Sequence, residues 1–203
     1  MPNRLIDNID YALGATGPLN LTGQLLAAAP GWAHPVFAES VCLVVHHQGL
    51  DAVGIVLNRD FENEAEGLWK HLSGGGRELQ QGLLHFGGPD SGPVVAIHNL
   101  DELSEFEPAK GVYMAAQIDT LKTLVQTQEA EDCRLKIIVG QAEWKSGELQ
   151  QQFMERAWLP LSATSELIFQ PAATMWAYAL RSFGNQMIEE VTGAPIPLDV
   201  LAN

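Results

Sequence analysis

Apolar positions along this chain follow two periods. Short runs at 21–28, 41–47, 52–57, 83–86, 94–98, 112–116 and 135–139 read as strands, each bounded by turn-forming or polar residues. The tetrapeptide Gln48-Gly49-Leu50-Asp51 joins the second and third as a hairpin, because Gly49 can supply a positive φ. Four segments carry the helical period instead. Ala65, Leu68, Trp69 and Leu72 keep i, i+3, i+4, i+7 spacing behind Asn63, a capping candidate, and Leu121, Leu124 and Val125 follow Asp119, another. Leu149, Phe153, Ala157 and Trp158 form a third stripe, opened by Ser146 and stopped by Pro160. Ala172, Trp176, Ala179, Leu180 and Phe183 form a fourth, with Pro171 at its start and Gly184 at its end. Gly74-Gly75-Gly76 is a loop, and the chain beyond Gly184, with Gly193, Pro195 and Pro197, reads as irregular.

Hairpin-joined strands mixed with helix-joined ones predict an α+β fold: one compact domain, a mixed, largely antiparallel sheet covered by about four helices. The pattern leaves the strand order open. At 203 residues and 46% hydrophobic content the chain can bury one sizeable core, and a second full domain would be crowded. No stretch approaches the ~20 apolar residues that span a bilayer. Acidic residues such as Asp7 stand where a secretory signal has its apolar core, so a cytoplasmic location is expected. Cys42 and Cys133 are far apart, and Cys42, within Val41-Cys42-Leu43-Val44-Val45, reads as a buried, inert thiol.

Charge narrows the partners. Lys plus Arg number 11 against 25 Asp plus Glu, a formal charge of −14, and no Lys/Arg cluster occurs. Affinity for nucleic acid rests on neutralising phosphates with basic side chains, so direct nucleic-acid binding is disfavoured, as is an anionic membrane surface. The expected partner is a protein or a small molecule.

The most distinctive run is His85-Phe86-Gly87-Gly88-Pro89-Asp90-Ser91-Gly92-Pro93, set between two strand-like segments. Paired glycines permit positive φ and close backbone approach, while the prolines fix φ and withhold donors, so the run is a built corner. It is accompanied by Gly23-Gln24-Leu25-Leu26, Pro35-Val36-Phe37-Ala38-Glu39-Ser40, Gly54-Ile55-Val56-Leu57-Asn58-Arg59, Gly140-Gln141-Ala142-Glu143-Trp144-Lys145-Ser146-Gly147, and Ala157-Trp158-Leu159. In order and spacing these blocks resemble the AlgH/YqgE group (UPF0301), small bacterial proteins without an established biochemical activity. The resemblance covers about residues 21–184, leaving 1–20 as a mobile lead and 185–203 as a tail. Asp90 departs from the apolar residue usual in the group, and Gln141 and Glu143 from its Tyr and Gly.

Candidate chemistry is sparse. The corner can expose backbone N–H groups as an anion nest, but it lacks the Lys-Ser/Thr of a phosphate loop and carries Asp90, so a structural corner is the simpler reading. Adjacent His46 and His47 on a strand face opposite ways and cannot chelate one metal together, while His85 and His98 flank the corner and can meet across a hairpin. Separate hydrogen-bonded histidines are favoured there, and no metal or cofactor is called for. No Gly-x-Ser-x-Gly elbow is present and no catalytic residue is assigned. Glu62, Glu64 and Glu66 suit a helix start, and Glu129, Glu131 and Asp132 a solvated loop. Trp158 reads as core. Trp144, between a strand end and a helix start, reads as partly exposed and facing a ligand.

These readings converge on a non-catalytic binding or regulatory module that meets a protein or small ligand through a cleft formed by Asn58, Gly87, Gly88, Pro89 and Trp144. The alternatives are a hydrolase-like enzyme using a carboxylate or histidine near the same corner, and a transcriptional regulator, which rests only on the regulatory role proposed for some relatives.

Overall fold

The computed structural model describes residues 20–61, 65–75, 83–129 and 132–192. In chain order the elements are β1 (Gln24–Ala28), β2 (Val41–Gln48), β3 (Asp51–Val56), α1 (Ala65–Ser73), β4 (Leu84–Phe86), β5 (Val95–His98), a 3-10 turn (Asp101–Leu103), β6 (Phe106–Ala109), β7 (Val112–Ala115), α2 (Ile118–Thr127), β8 (Leu135–Val139), β9 (Ala142–Trp144), α3 (Glu148–Met154), β10 (Trp158–Ser162), α4 (Ser165–Ile168) and α5 (Ala172–Thr192). All seven expected strands form, and the fold is a single α+β domain. The expected cap Asn63 and the lead 1–19 lie outside the described residues.

The strands divide into two five-stranded sheets rather than one. The first runs β10-β1-β2-β3-β9 and the second β4-β8-β5-β7-β6. Every pairing is antiparallel except β4 with β8. Alternation places Leu25, Leu43 and Ile55 of the first sheet in one core with Val95, Ile97 and Ile138 of the second, closed by Leu167 and Ile168 of α4 and Met175 and Ala179 of α5. The other face of the first sheet is covered by Phe37, Leu149 and Phe153, and that of the second by α1 and α2 through Trp69, Leu72, Leu121 and Leu124.

Three departures from the sequence pattern have physical causes. Helix α3 stops at Met154, Arg156 takes a φ of 58°, and Trp158 begins a strand. Pro160, expected to stop a helix, sits within β10, an edge strand of the first sheet. Pro108 lies in β6, an edge strand of the second sheet that the pattern also does not predict. An edge strand has one side without a ladder, so it tolerates the missing N–H that makes proline read as a strand breaker. Helix α5 runs through Gly184 to Thr192, so the tail is helical up to that point. A glycine ends a helix when it turns left-handed, and Gly184 is not among the residues at positive φ. Asp119 does not cap α2. The Glu105 carboxylate does so from outside, accepting from Ala116 N at 2.9 Å and Gln117 N at 3.2 Å, and these bonds hold its pKa below the ordinary value although burial opposes them.

The Gly87-Gly88 corner joins the two sheets. Gly87 N donates to Val139 O at the end of β8, and Gly87 O accepts from Val56 N at the end of β3, both at 2.7 Å. Asp90 and Gln141 exchange backbone hydrogen bonds of 2.9 and 3.0 Å beside it. No side chain fits between these strands: a Cβ on Gly87 would lie 2.2 Å from Gly140 O, and one on Gly88, where φ is 149°, 2.3 Å from the Gln141 carbonyl carbon. We therefore expect Gly88→Val to lower the unfolding free energy by roughly 2–4 kcal/mol, since both the φ and the backbone clash oppose it. Chemical denaturation read by far-UV circular dichroism checks this, and an unchanged midpoint would contradict the packing described.

Candidate functional site

Of the five residues expected to form a cleft, Asn58, Gly87, Gly88 and Trp144 are buried in the fold. Asn58 is 7% exposed, and its amide bridges two backbone groups, accepting from Val41 N and donating to Glu39 O, each at 2.9 Å. Gly87 and Gly88 are buried against the 140–142 backbone, and Pro89 is exposed on the corner. Trp144 is 2% exposed, which corrects the expectation of a partly exposed ring. Its indole stacks on Phe37 at 5.5 Å, meets Trp158 edge-on at 6.1 Å, and lies over Gly54, where a Cβ would be 2.9 Å from the ring. Gln152 Oε1 accepts from both indole N–H groups, Trp144 at 3.0 Å and Trp158 at 2.7 Å, so neither buried donor is wasted. The departing residues around Trp144 satisfy one another: Asp90 Oδ2 accepts from Glu143 N at 2.9 Å, Gln141 Nε2 donates to Glu143 at 2.8 Å, and Lys145 pairs with Glu143 at 2.7 Å.

The histidines are dispersed. His46 is exposed and His47 buried on opposite faces of β2, where His47 Nδ1 accepts from Leu21 N at 3.1 Å. His85 and His98 lie on either side of β8, opposite Ile138 and Leu135. That odd offset sends them to opposite faces of the sheet, so they do not meet. Among the described residues no group of three or more His, Cys, Asp or Glu side chains is placed to hold a metal ion. Cys42 and Cys133 are both free, and burial pushes the Cys42 thiol up to about 12, leaving it inert at neutral pH.

What the structure does assemble is a cleft of about 560 Å³ where β8 meets the first turn of α5, with Asp60, His85, Arg134, Lys136, Gln170 and Ala172 in its walls. Lys136 stands in the apolar run Leu135-Lys136-Ile137-Ile138 and faces inward. It is 5% exposed, and its ammonium donates to Gln170 O at 3.2 Å and Leu57 O at 3.4 Å. No carboxylate among the described residues is within salt-bridge distance of it. Burial pushes its pKa down to about 8, an effect that the Asp60 charge partly opposes. His85 is the neighbour of Lys136 on the same face, two residues along the register, and its Nδ1 lies 3.9 Å from the Asp60 carboxylate. The start of α5 completes the wall: Pro171 O accepts from Thr174 N and Met175 N, so the amides of Ala172 and Ala173 have no acceptor within the helix. Lys136 was legible as a lone charge within an apolar strand, a placement that demands an explanation. Asp60 and the helix start carried no such mark, since only tertiary contact brings them to Lys136.

The architecture is that of an α+β protein whose two sheets are joined at a glycine corner. Residues 25–188 match the AlgH-like family model (DUF179). The chain belongs to this family. It is 30% identical over 173 residues to a UPF0301 protein of Ralstonia nicotianae, covering 82% of this chain and 90% of the relative. It is 27% identical over 176 residues to the UPF0301 protein YqgE of Shigella boydii, covering 82% and 93%. In fold it is similar to the AlgH protein of Pseudomonas aeruginosa, with a TM-score of 0.62 at 22% identity over 90% of this chain and 99% of that one. A Corynebacterium diphtheriae protein gives 0.64 at 17% identity, over 95% and 97%. No helix among the described residues is long and apolar enough to cross a membrane.

Two outcomes follow from this geometry. Trp144→Ala should cost ~3–5 kcal/mol, the range for truncating an enclosed aromatic, measured by denaturant titration against Pro89→Ala as an exposed control. The second concerns pH. An unfolded lysine titrates near its ordinary 10.5 and Lys136 near 8, so between these values the unfolded chain holds the extra proton. The burial penalty is thus fully present below about pH 8 and is relieved as pH rises toward 10.5. Relative to Lys136→Met, the wild type should gain roughly 2–3 kcal/mol of stability between pH 7 and pH 10. A flat difference across that range would place the ammonium in water.

Proposed function

We propose that this protein is a non-catalytic binding module that holds a small anionic ligand in the Lys136 cleft. The observation that carries this reading is the meeting, in one open cavity, of a buried ammonium lacking a carboxylate partner with the amino end of the 21-residue helix α5. A charge kept out of water without a bonded counter-ion costs several kcal/mol, which the more distant Asp60 charge offsets only in part, and an anion arriving between Lys136, Arg134 and the first-turn amides offsets that cost. The ligand is small because the cavity is about 560 Å³. Selectivity for a focused anionic group also fits a chain of net charge −14, whose surface otherwise repels anions and leaves the cleft as a local exception.

A second reading has its own support. His85 immediately precedes the Gly-Gly corner and lies beside Asp60, so the cleft also contains the paired histidine and carboxylate that a hydrolase-like enzyme would use. The two readings part on turnover. Titration with inorganic phosphate and glycerol 3-phosphate, followed by amide chemical shifts of Ala172, Ala173 and Lys136, should give saturable binding that weakens at least tenfold in Lys136→Met. Absence of any shift at the start of α5 with either anion removes the binding reading. Hydrolysis of a phosphate or carboxylate ester that is lost in His85→Ala would replace it with the enzymatic one.

A further inference from the structure

Lys136 is more than a fixed positive charge. A lysine meant only to hold an anion is best kept protonated and partly hydrated, whereas this one is enclosed, with neutral carbonyls as its two acceptors. A neutral amine has two N–H bonds and one lone pair. Leu57 O and Gln170 O account for both N–H groups, and Gln170 itself lines the cleft, so the lone pair is the feature of the nitrogen left for a ligand. The arrangement favours the nucleophilic form, the way a desolvated lysine is activated toward carbonyl compounds.

We propose that the cleft captures small anionic aldehydes, with Lys136 Nζ forming a reversible imine with the carbonyl carbon while Arg134 and the first turn of α5 hold the anionic group. This rests on the anion-binding reading above and names the class of ligand. The Nζ lone pair adds to the carbonyl carbon as the C=O π pair moves to oxygen, which takes up a proton. That proton comes from the nitrogen, so the carbinolamine keeps one N–H; this last proton leaves with the hydroxyl as water while the C=N bond forms. No electrons are gained or lost overall, and water entering the open cleft reverses each step. The burial that pushes the ammonium down to about 8 leaves on the order of a tenth of Lys136 neutral at pH 7, far more than for an ordinary surface lysine. Lys145 provides the internal contrast: it is exposed, and its hydrogen bond and ion pair with Glu143 push its pKa upward.

The test uses the full chain with glyceraldehyde 3-phosphate and cyanoborohydride, which reduces an imine to a stable amine, and peptide mass spectrometry to locate the adduct. Glycerol 3-phosphate, the same anion without a carbonyl, serves as competitor and as an independent ligand. The expected result is an adduct on Lys136 at least tenfold faster than on Lys70, Lys110, Lys122 or Lys145 of the same molecule, slowed by glycerol 3-phosphate. Lys136→Arg, with its fold checked by circular dichroism, should lose that adduct yet still bind glycerol 3-phosphate. Labelling of Lys136 no faster than the other lysines, with glycerol 3-phosphate still bound at the start of α5, overturns the imine and leaves anion binding standing. If glycerol 3-phosphate does not bind and Lys136 is not labelled, both readings fall.

Discussion

The backbone contact between Gly87-Gly88 and the 140–142 turn is the constraint on which the rest of the structure depends. Through Gly87 the end of β4 is hydrogen-bonded to β3 in one sheet and to β8 in the other. The chain leaves the second sheet at Gly140 and re-enters the first as β9 two residues later. Backbones can approach this closely only where the residue facing its neighbour carries no side chain, so Gly87 and Gly88 fix how the sheets meet. That meeting brings β9 beside β3 and lays the Trp144 indole over Gly54.

From the same junction the structure distributes its polar costs unevenly. On the outer face of the first sheet, two buried indole donors share one Gln152 oxygen, and the Asn58 amide closes two backbone gaps at once, so these buried polar groups are matched. On the inner side near α5 the matching is of another kind. Lys136 has hydrogen-bond acceptors but no bonded counter-charge, and the space beside it is a cavity. Burying a charge without pairing it is rarely retained for stability, since an apolar residue of similar volume packs at least as well. The cleft is therefore the place where this fold gives up stability, and such places are where ligands are met.

Much of the fold could be read from residue order because it rests on local chemistry. Seven strands announced themselves by apolar runs between turn residues, the β2–β3 hairpin by Gly49, whose φ is 64°, and the α1, α2 and α5 stripes by helical spacing. Among the elements the pattern does not show, β6 and β10 contain proline, whose effect depends on whether a strand lies at an edge, a property of the assembled sheet, while β9 and α4 are only three and four residues long, too short to display a period. The same limit governed the site. The glycine corner is legible as a built feature from its residues alone, whereas Asn58 and Trp144, conspicuous at element ends, read as ligand-facing because their enclosure is not written locally.

The sequence by itself determined most of the elements, the α+β class, the strongly acidic composition and the family, since each is written in composition, period or the order of short blocks. Tertiary structure alone decided that the strands form two sheets, that the Trp144 ring is enclosed, and that Asp60, His85, Lys136 and the start of α5 share one cavity. The physical reason is separation along the chain: Asp60 and Ala172 are more than a hundred residues apart, and no local propensity records which surfaces hydrophobic burial will press together.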